Sequence, residues 1–318
     1  MLLINDPADA PTGPKVVAVG SFDGLHLGHQ HLLRQAQQEA RTRHMPLLVY
    51  TFDPPSKVFT KGEGFLTDLA EKIELLRGLG VEIALVVPFN QDFARRSKDD
   101  FLKDLRGLEA QLIYVGEDFR FGQGRAGGLE DLSSVAPTEI IPLLQLGGSP
   151  VKSSRIRELL KVGAVDEVGR LLDRPYTARG IVQEGDKLGR TLGFPTANLE
   201  VAPLKLLPMG VFAVWVHGEH GRFGGMANVG YRPTVTGTAR PLEGLQPVTG
   251  TARPLQPVVG QTLRFEVHLF AFSGDLYGEE LDVEFVSKLR GETKFAGLEE
   301  LQAQLARDAA AARAILDL

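Results

Sequence analysis

Two places in this 318-residue sequence gather side chains whose types and spacing suit phosphate chemistry. The first is residues 20–29, GSFDGLHLGH, where His26 and His29 stand among Gly20, Gly24 and Gly28. Imidazoles donate hydrogen bonds to phosphate oxygens, and glycines let the backbone approach a polyanion closely. Three of the seven histidines, His26, His29 and His31, are concentrated here. The second place lies in the C-terminal half. Residues 189–198, GRTLGFPTAN, offer Thr196 and Asn198 as oxygen donors one residue apart, preceded by Gly185, Gly189 and Gly193. A hard Mg²⁺ ion carrying phosphates takes oxygen ligands of this kind. Further on, residues 264–270 read RFEVHLF, so strand alternation puts Phe265, Val267 and Leu269 on one face and Glu266 and His268 on the other. Glu266 is then either a solvated outward residue or a base that removes the proton of an alcohol being phosphorylated.

The elements that must position these groups follow from hydrophobic pattern. Apolar runs at 15–19, 47–52, 83–87 and 112–115 have the length and β-branched content of buried strands. Helical stretches separate them: 29–43, then 69–79 with Leu69, Ile73, Leu76 and Leu79 on one face, then a helix opened by the Ser97/Asp100 capping box. This alternation predicts a parallel sheet with helices on both faces. The histidine turn then joins a strand to a helix N-terminus, where free N–H groups favour phosphate. Ser153 and Ser154 are placed to cap a helix over 155–160, and Arg157 in its first turn opposes the helix dipole, which invites an anion. Beyond residue 172 the pattern changes to strands at 178–182, 211–216, 263–270 and 281–285 with Gly-rich turns, which predicts an antiparallel sheet or small barrel. The PTAN tetrapeptide alone reads as a turn. A single helix over 298–316 ends the chain. The repeated TARPL at 238–242 and 251–255 is polar and Pro-rich and reads as a surface loop.

Composition bounds the functions. Hydrophobic residues are 43% and charged residues 24%, as in an ordinary globular protein of two domains. The net charge of −5 argues against a general nucleic-acid binder. With no cysteine, disulfides, thiolate metal sites and cysteine nucleophiles are excluded. The N-terminal residues lack the basic and apolar regions of a secretory leader, and no apolar run reaches the ~20 residues of a membrane helix. A soluble, cytoplasmic protein without nucleic-acid or membrane partners is expected; nothing in the pattern speaks to oligomeric state.

The turn GSFDGLHLGH resembles the H-x-G-H signature of the nucleotidylyltransferase superfamily. It is more closely similar to the adenylyltransferase half of the bacterial bifunctional riboflavin kinase/FAD synthetases. GEDFRFG at 116–122 and VKSSRIR at 151–157 resemble later motifs of that half. GRTLGFPTAN, GGMANVGYRPT at 224–234, the Glu266 strand, DLYG at 275–278 and LRGETKF at 289–295 resemble the riboflavin kinase module, in the same order. The resemblance implies an α/β nucleotidylyltransferase (Rossmann-like, parallel sheet) domain over 1–172, followed over 173–318 by a small antiparallel β-barrel with a C-terminal helix. It implies two reactions, each with ATP as co-substrate and Mg²⁺: riboflavin to FMN in the barrel, and FMN to FAD with pyrophosphate release in the α/β domain. It also implies roles. His26 and His29 meet the ATP phosphates, and Gly20, Phe22, Asp23, Gly24, Gly28, Ser153, Ser154 and Arg157 form the nucleotide site. Asp118, Phe119 and Arg120 line the flavin–nucleotide cleft. In the barrel Gly189, Gly193, Thr196 and Asn198 bind Mg–ATP, with Thr196 and Asn198 on the metal, Glu266 is the base and Arg290 lies near the flavin. Three departures stand out. FDPPS at 52–56 lacks the histidine of the family's F-x-P-H-P, Lys152 replaces a serine, and the TARPL segment lengthens one connection. The first motivates a rival reading, a kinase with a weakened adenylyltransferase half; a non-catalytic flavin-binding protein is another, against which Glu266, His26 and His29 argue.

Overall fold

In the computed structural model the described residues are 1–185, 192–233 and 261–318; the TARPL segment and Gly189 lie outside them. The chain divides into two compact units, Met1–Ser153 and, among described residues, 154–318.

The first unit runs β1 (Leu2–Ile4), β2 (Lys15–Val19), α1 (Leu27–Thr42), β3 (Leu47–Asp53), α2 (Ser56–Lys61), α3 (Leu69–Gly78), β4 (Ile83–Pro88), α4 (Gln91–Arg95), α5 (Lys98–Gly107), β5 (Ala110–Gly116), α6 (Leu129–Leu132) and β6 (Thr138–Ile141), with a small hairpin β7 (Gln145–Leu146) and β8 (Ser149–Pro150). Strands β1–β6 form one sheet in the order β1-β4-β3-β2-β5-β6, parallel throughout. The central strand β2 shows why its sequence is uniformly apolar: Val17 and Val19 enter the core on one face, Val16 and Ala18 the core on the other. Ser97 and Asp100 make the expected capping box on α5, Asp100 N–H donating to Ser97 Oγ at 3.1 Å and Ser97 N–H to the Asp100 carboxylate at 2.9 Å. From β2 the chain builds outward to β3 and β4 on one side, then returns to place β5 on the other. Ligands of open parallel sheets bind at such a switch point, beyond the carboxyl ends of the strands.

The chain continues through α7 (Ser153–Lys161) and α8 (Val165–Leu172) to β9 (Tyr176–Gln183), β10 (Ala197–Val201), β11 (Gly210–Gly218), β12 (Gly221–Pro233), β13 (Gln261–Leu269), β14 (Glu280–Arg290) and α9 (Leu298–Ile315). Helix α7 starts at Ser153, two residues earlier than expected, so Ser153 is a helical residue and not a cap. The six strands close into an antiparallel barrel, β10-β13-β12-β11-β14-β9. Phe265 stacks on Phe285 inside it, and Phe212 meets Phe285 edge-on. On the opposite face Ala213, Met226 and Phe270 pack against Ala312 of α9 and Leu316 at its C-cap. Two strands of this barrel were not visible in the sequence, nor were the short strands β1, β6, β7 and β8 of the first unit. Gly221, Gly224, Gly225 and Gly230 depress the β propensity of β12, and β10 begins inside the tetrapeptide that reads locally as a turn.

Candidate active sites

The turn from β2 to α1 is tight. Phe22, Gly24 and Leu25 have φ of 46°, 85° and 37°, and neighbouring segments hold them there. Asp23 is buried, and its Oδ1 accepts from Leu66 N–H at 2.8 Å and Thr67 N–H at 3.2 Å. Gly24 N–H donates to Thr67 Oγ1 at 3.1 Å, and Ser153 Oγ donates to the Asp23 carbonyl at 3.0 Å. His26 caps α1, its Nδ1 accepting from His29 N–H at 3.3 Å. In the neutral ring this puts the proton on Nε2. The His26 and His29 rings stack at 3.6 Å, and the buried Phe22 ring meets His29 edge-on at 5.3 Å. A Cβ on Gly28 would press on the His26 ring at 3.3 Å while meeting the Val151 carbonyl at an ordinary 3.6 Å, so glycine leaves the His26 ring its room. Burial, and then the fields of His26, Lys72 and Lys57, hold the His29 pKa well below the ordinary imidazole value. The stacked pair therefore rests with His29 neutral, and its Nδ1 is buried without a hydrogen-bond partner among the described residues.

Across the switch point the loop after β5 is closed by paired hydrogen bonds between Phe121 and Gly127, at 3.2 and 2.9 Å. Phe119 stacks on Phe121 and packs on the core. Asp118 is exposed and faces Lys152 Nζ at 3.7 Å, while exposed Arg120 donates to the Phe119 carbonyl at 2.6 Å. Lys152 and Ser153 thus tie together the loops that follow β5 and β2, through Asp118 and Asp23. Ser154 is exposed; Arg157 is buried in α7, whose residues from Ser154 onward belong to the second unit. Where the family motif has its histidine stands Pro55, and the next residue, Ser56, shares a 3.0 Å hydroxyl hydrogen bond with Ser21.

Sequence reasoning missed Lys72, which is fully buried and donates to the Phe52 carbonyl at 2.8 Å. A signal existed: Lys72 stands three residues from Leu69 and four from Leu76, on the apolar stripe of α3.

In the second unit Thr196, Asn198, Glu266 and Arg290 line one cavity of about 340 Å³ between the outer face of the barrel and α9. As alternation required, Phe265, Val267 and Leu269 are buried on the other face of β13. Register does the rest. Glu266 is the lateral partner of Asn198 on β10 and of Asn228 on β12, so three polar residues form a row across three strands. Arg264 Nη1 lies 3.1 Å from Glu266 Oε1. His268, one strand period further, bonds through Nδ1 to the Pro195 carbonyl at 2.7 Å and thereby ties the P-T-A-N segment to β13. Burial lowers its pKa. Arg290 is held by Asp308 of α9, with Nη2 and Nε each 2.9 Å from Oδ2, while Asp308 is 3% exposed and also accepts from Gln304 at 2.7 Å. Gly193 is exposed in the turn before Phe194. Asn228, Arg264 and Glu292 line the cavity without having been singled out. Asn228 lies within GGMANVGYRPT, but nothing local links it to Glu266.

Among the described residues no group of three or more His, Asp or Glu is placed to hold a metal, and no helix is long and apolar enough to cross a membrane. The geometry is of a class suited to phosphate chemistry at two places: a histidine turn at the switch point of a parallel sheet, and a barrel whose cavity sets a carboxylate beside amide and hydroxyl groups. Comparison narrows the class. Residues 9–155 match the FAD synthetase family and residues 172–316 the riboflavin kinase family. The bifunctional riboflavin kinase/FMN adenylyltransferase of Escherichia coli K12 is 36% identical, over 99% of this chain and 97% of that one. Its counterpart in Bacillus subtilis is 35% identical, over 92% and 90%. A crystal structure titled as a macrolide-efflux protein from Streptococcus pneumoniae superposes with a TM-score of 0.82 at 31% identity, covering 98% of both chains. The chain belongs to the bifunctional riboflavin kinase/FMN adenylyltransferase family. It is an enzyme of flavin cofactor synthesis, with its FAD synthetase half first and its riboflavin kinase half second, and both families use ATP.

Proposed function

We propose that the two sites described above carry these two reactions, with the modules divided at 172/173. In the barrel, Glu266 takes the proton of the riboflavin 5′-hydroxyl as that oxygen attacks the γ-phosphorus of ATP, and ADP leaves. The row Asn198–Glu266–Asn228 beside Arg264 is the observation that carries this reading, because it sets the only carboxylate of that row against amide and guanidinium donors inside a cavity. Arg290, fixed by Asp308, lies against the flavin. Thr196 and Asn198 fit a Mg²⁺ that takes its remaining ligands from phosphate and water, the usual arrangement for this ion; when bound, Mg²⁺ would neutralise phosphate charge. Gly193 borders the nucleotide.

In the α/β domain the FMN phosphate, already an anion, attacks the α-phosphorus of a second ATP and pyrophosphate leaves. No strong base is needed. His26 and His29 donate to phosphate oxygens, and the turn containing Gly20, Phe22, Asp23, Gly24 and Gly28 holds them. Asp23 acts through Leu66 and Thr67. Ser153 completes the nucleotide site through the Asp23 carbonyl, and Asp118, Phe119 and Arg120 border the flavin cleft. Fixed donors aimed at developing charge supply the transition-state stabilisation. The substrates are small molecules, and we place the enzyme in the cytoplasm. Incubation with riboflavin and ATP, with Mg²⁺ or with EDTA, followed by chromatography, tests the reading. FMN and then FAD should form with Mg²⁺ and neither with EDTA. FMN alone would leave the α/β half inactive, and product formation in EDTA would remove the metal.

A further inference from the structure

Helix α3 turns one charged side chain into the interior. Lys72 is 0% exposed, on the stripe that also carries Leu76. Its Nζ donates to the carbonyl of Phe52, the penultimate residue of β3, and its charged neighbours are Asp23, in the histidine turn, and Asp53, at the end of β3. Burial lowers the Lys72 pKa and the two carboxylates oppose that shift. A leucine would fill such a position without the cost of taking an ammonium out of water, and a buried charge stays only where opposite charge and hydrogen bonds hold it. Here those partners come from the last two residues of β3 and from the turn that follows the adjacent strand β2, at the carboxyl edge of the sheet, and Lys72 is among the cations whose field reaches His29. Being fully buried, Lys72 has no route to substrate except through its neighbours.

We propose that Lys72 is a positioning residue of the FAD-forming site: its buried ammonium joins the end of β3 to the Asp23 turn, fixes the stacked His26–His29 pair, and sets a positive field behind the phosphate-binding turn. The inference rests on the reading of that turn as the adenylyltransferase site.

The full-length enzyme with Lys72→Met and with Lys72→Arg, beside His29→Ala, tests it. Displacing catalytic groups by about 1 Å costs on the order of 10²-fold. Lys72→Met should therefore lower kcat for FAD formation from FMN by about 10²-fold with the KM values for FMN and ATP within about threefold. Lys72→Arg, which keeps the charge, should recover most of the loss, and FMN formation in the barrel should be unchanged in both. An independent readout is the His29 ring signal in a proton NMR titration. The groups facing that ring are His26, Lys72 and Lys57, so removing the Lys72 charge should move the His29 midpoint upward, in a measurement that needs no turnover. Full kcat in folded Lys72→Met, equal loss in Lys72→Arg, or an unmoved His29 midpoint would each overturn the inference. If Lys72→Met does not fold, the comparison of Lys72→Arg with the parent decides it, since a charge role requires activity within about tenfold. Loss in His29→Ala alone would sink only the Lys72 inference; retention of activity in His29→Ala would sink the site assignment beneath it.

Discussion

Replacing Glu266 by glutamine separates chemistry from architecture in the kinase half. The side chain keeps its size, and β13 keeps its ladders to β10 and β12, so the row with Asn198 and Asn228 survives. What is lost is basicity and the charge facing Arg264 at 3.1 Å. That pair is 29% and 26% exposed, and half-solvated pairs of this kind are worth about 0–1 kcal/mol. Thermal unfolding should therefore move by only a few degrees. The kinetic effect should be far larger. A positioned general base contributes on the order of 10²–10⁴-fold, which is about 2.7–5.5 kcal/mol of barrier. The assay is FMN formation from riboflavin and ATP by chromatography, with FAD formation from supplied FMN run in parallel on the same preparation. FMN formation should fall by at least 10²-fold through kcat, with FAD formation close to the parental rate. A loss below tenfold, or one confined to KM, would show that Glu266 is not the base. Loss of both activities in a folded protein would refute two independent sites.

His29→Ala should act in the opposite sense, lowering FAD formation by on the order of 10²–10³-fold while FMN accumulates from riboflavin; unchanged FAD output would remove His29 from the site. Arg290→Met strands Asp308, whose side chain is 4% exposed, as a buried carboxylate that keeps its hydrogen bond from Gln304. The kinase half should lose on the order of 3 kcal/mol and weaken in riboflavin binding. Adding Asp308→Leu should restore the thermal midpoint but not the binding, and a midpoint unmoved by Arg290→Met would deny the pair its structural role. The depressed His29 pKa also carries a pH signature. Below the unfolded value near 6.5 the unfolded chain binds a proton that the folded site refuses. Stability is then complete above about pH 6.5 and falls as pH drops toward the folded pKa, by up to about 1.4 kcal/mol per pH unit. The thermal midpoint of the parent should fall more steeply from pH 7.5 to 5 than that of His29→Ala; parallel profiles would contradict the burial argument.

Much of this protein is legible in its sequence because the relevant information is local. Buried parallel strands are written as uniform apolar runs. Ser97 and Asp100 announce a helix within four residues, and the two-residue period of β13 assigns Glu266 and Phe265 to opposite faces before any partner strand is known. His26 and His29 meet because a helix N-terminus brings i and i+3 together. Local reasoning also failed in identifiable ways. Ser153 looked like a cap, but a donor reaching Asp23, 130 residues away, and a helix starting earlier gave it other work. Strand β12 went unseen because its glycines hide it.

What only the tertiary structure decided is where distant polar groups converge. Lys72 reads as one more lysine on a helix; it becomes notable when the sheet sets the ends of β2 and β3 side by side and leaves its ammonium beside Asp23 and Asp53. Asn228 and Asn198 meet Glu266 through strand register, and a shift of one residue in either ladder would turn them to the opposite face. Periodicity states which face a residue takes, so the types of chemistry available were set by the sequence alone. The partner across that face depends on closing loops of many residues, a choice made by the summed packing of the barrel and the sheet and by no local propensity.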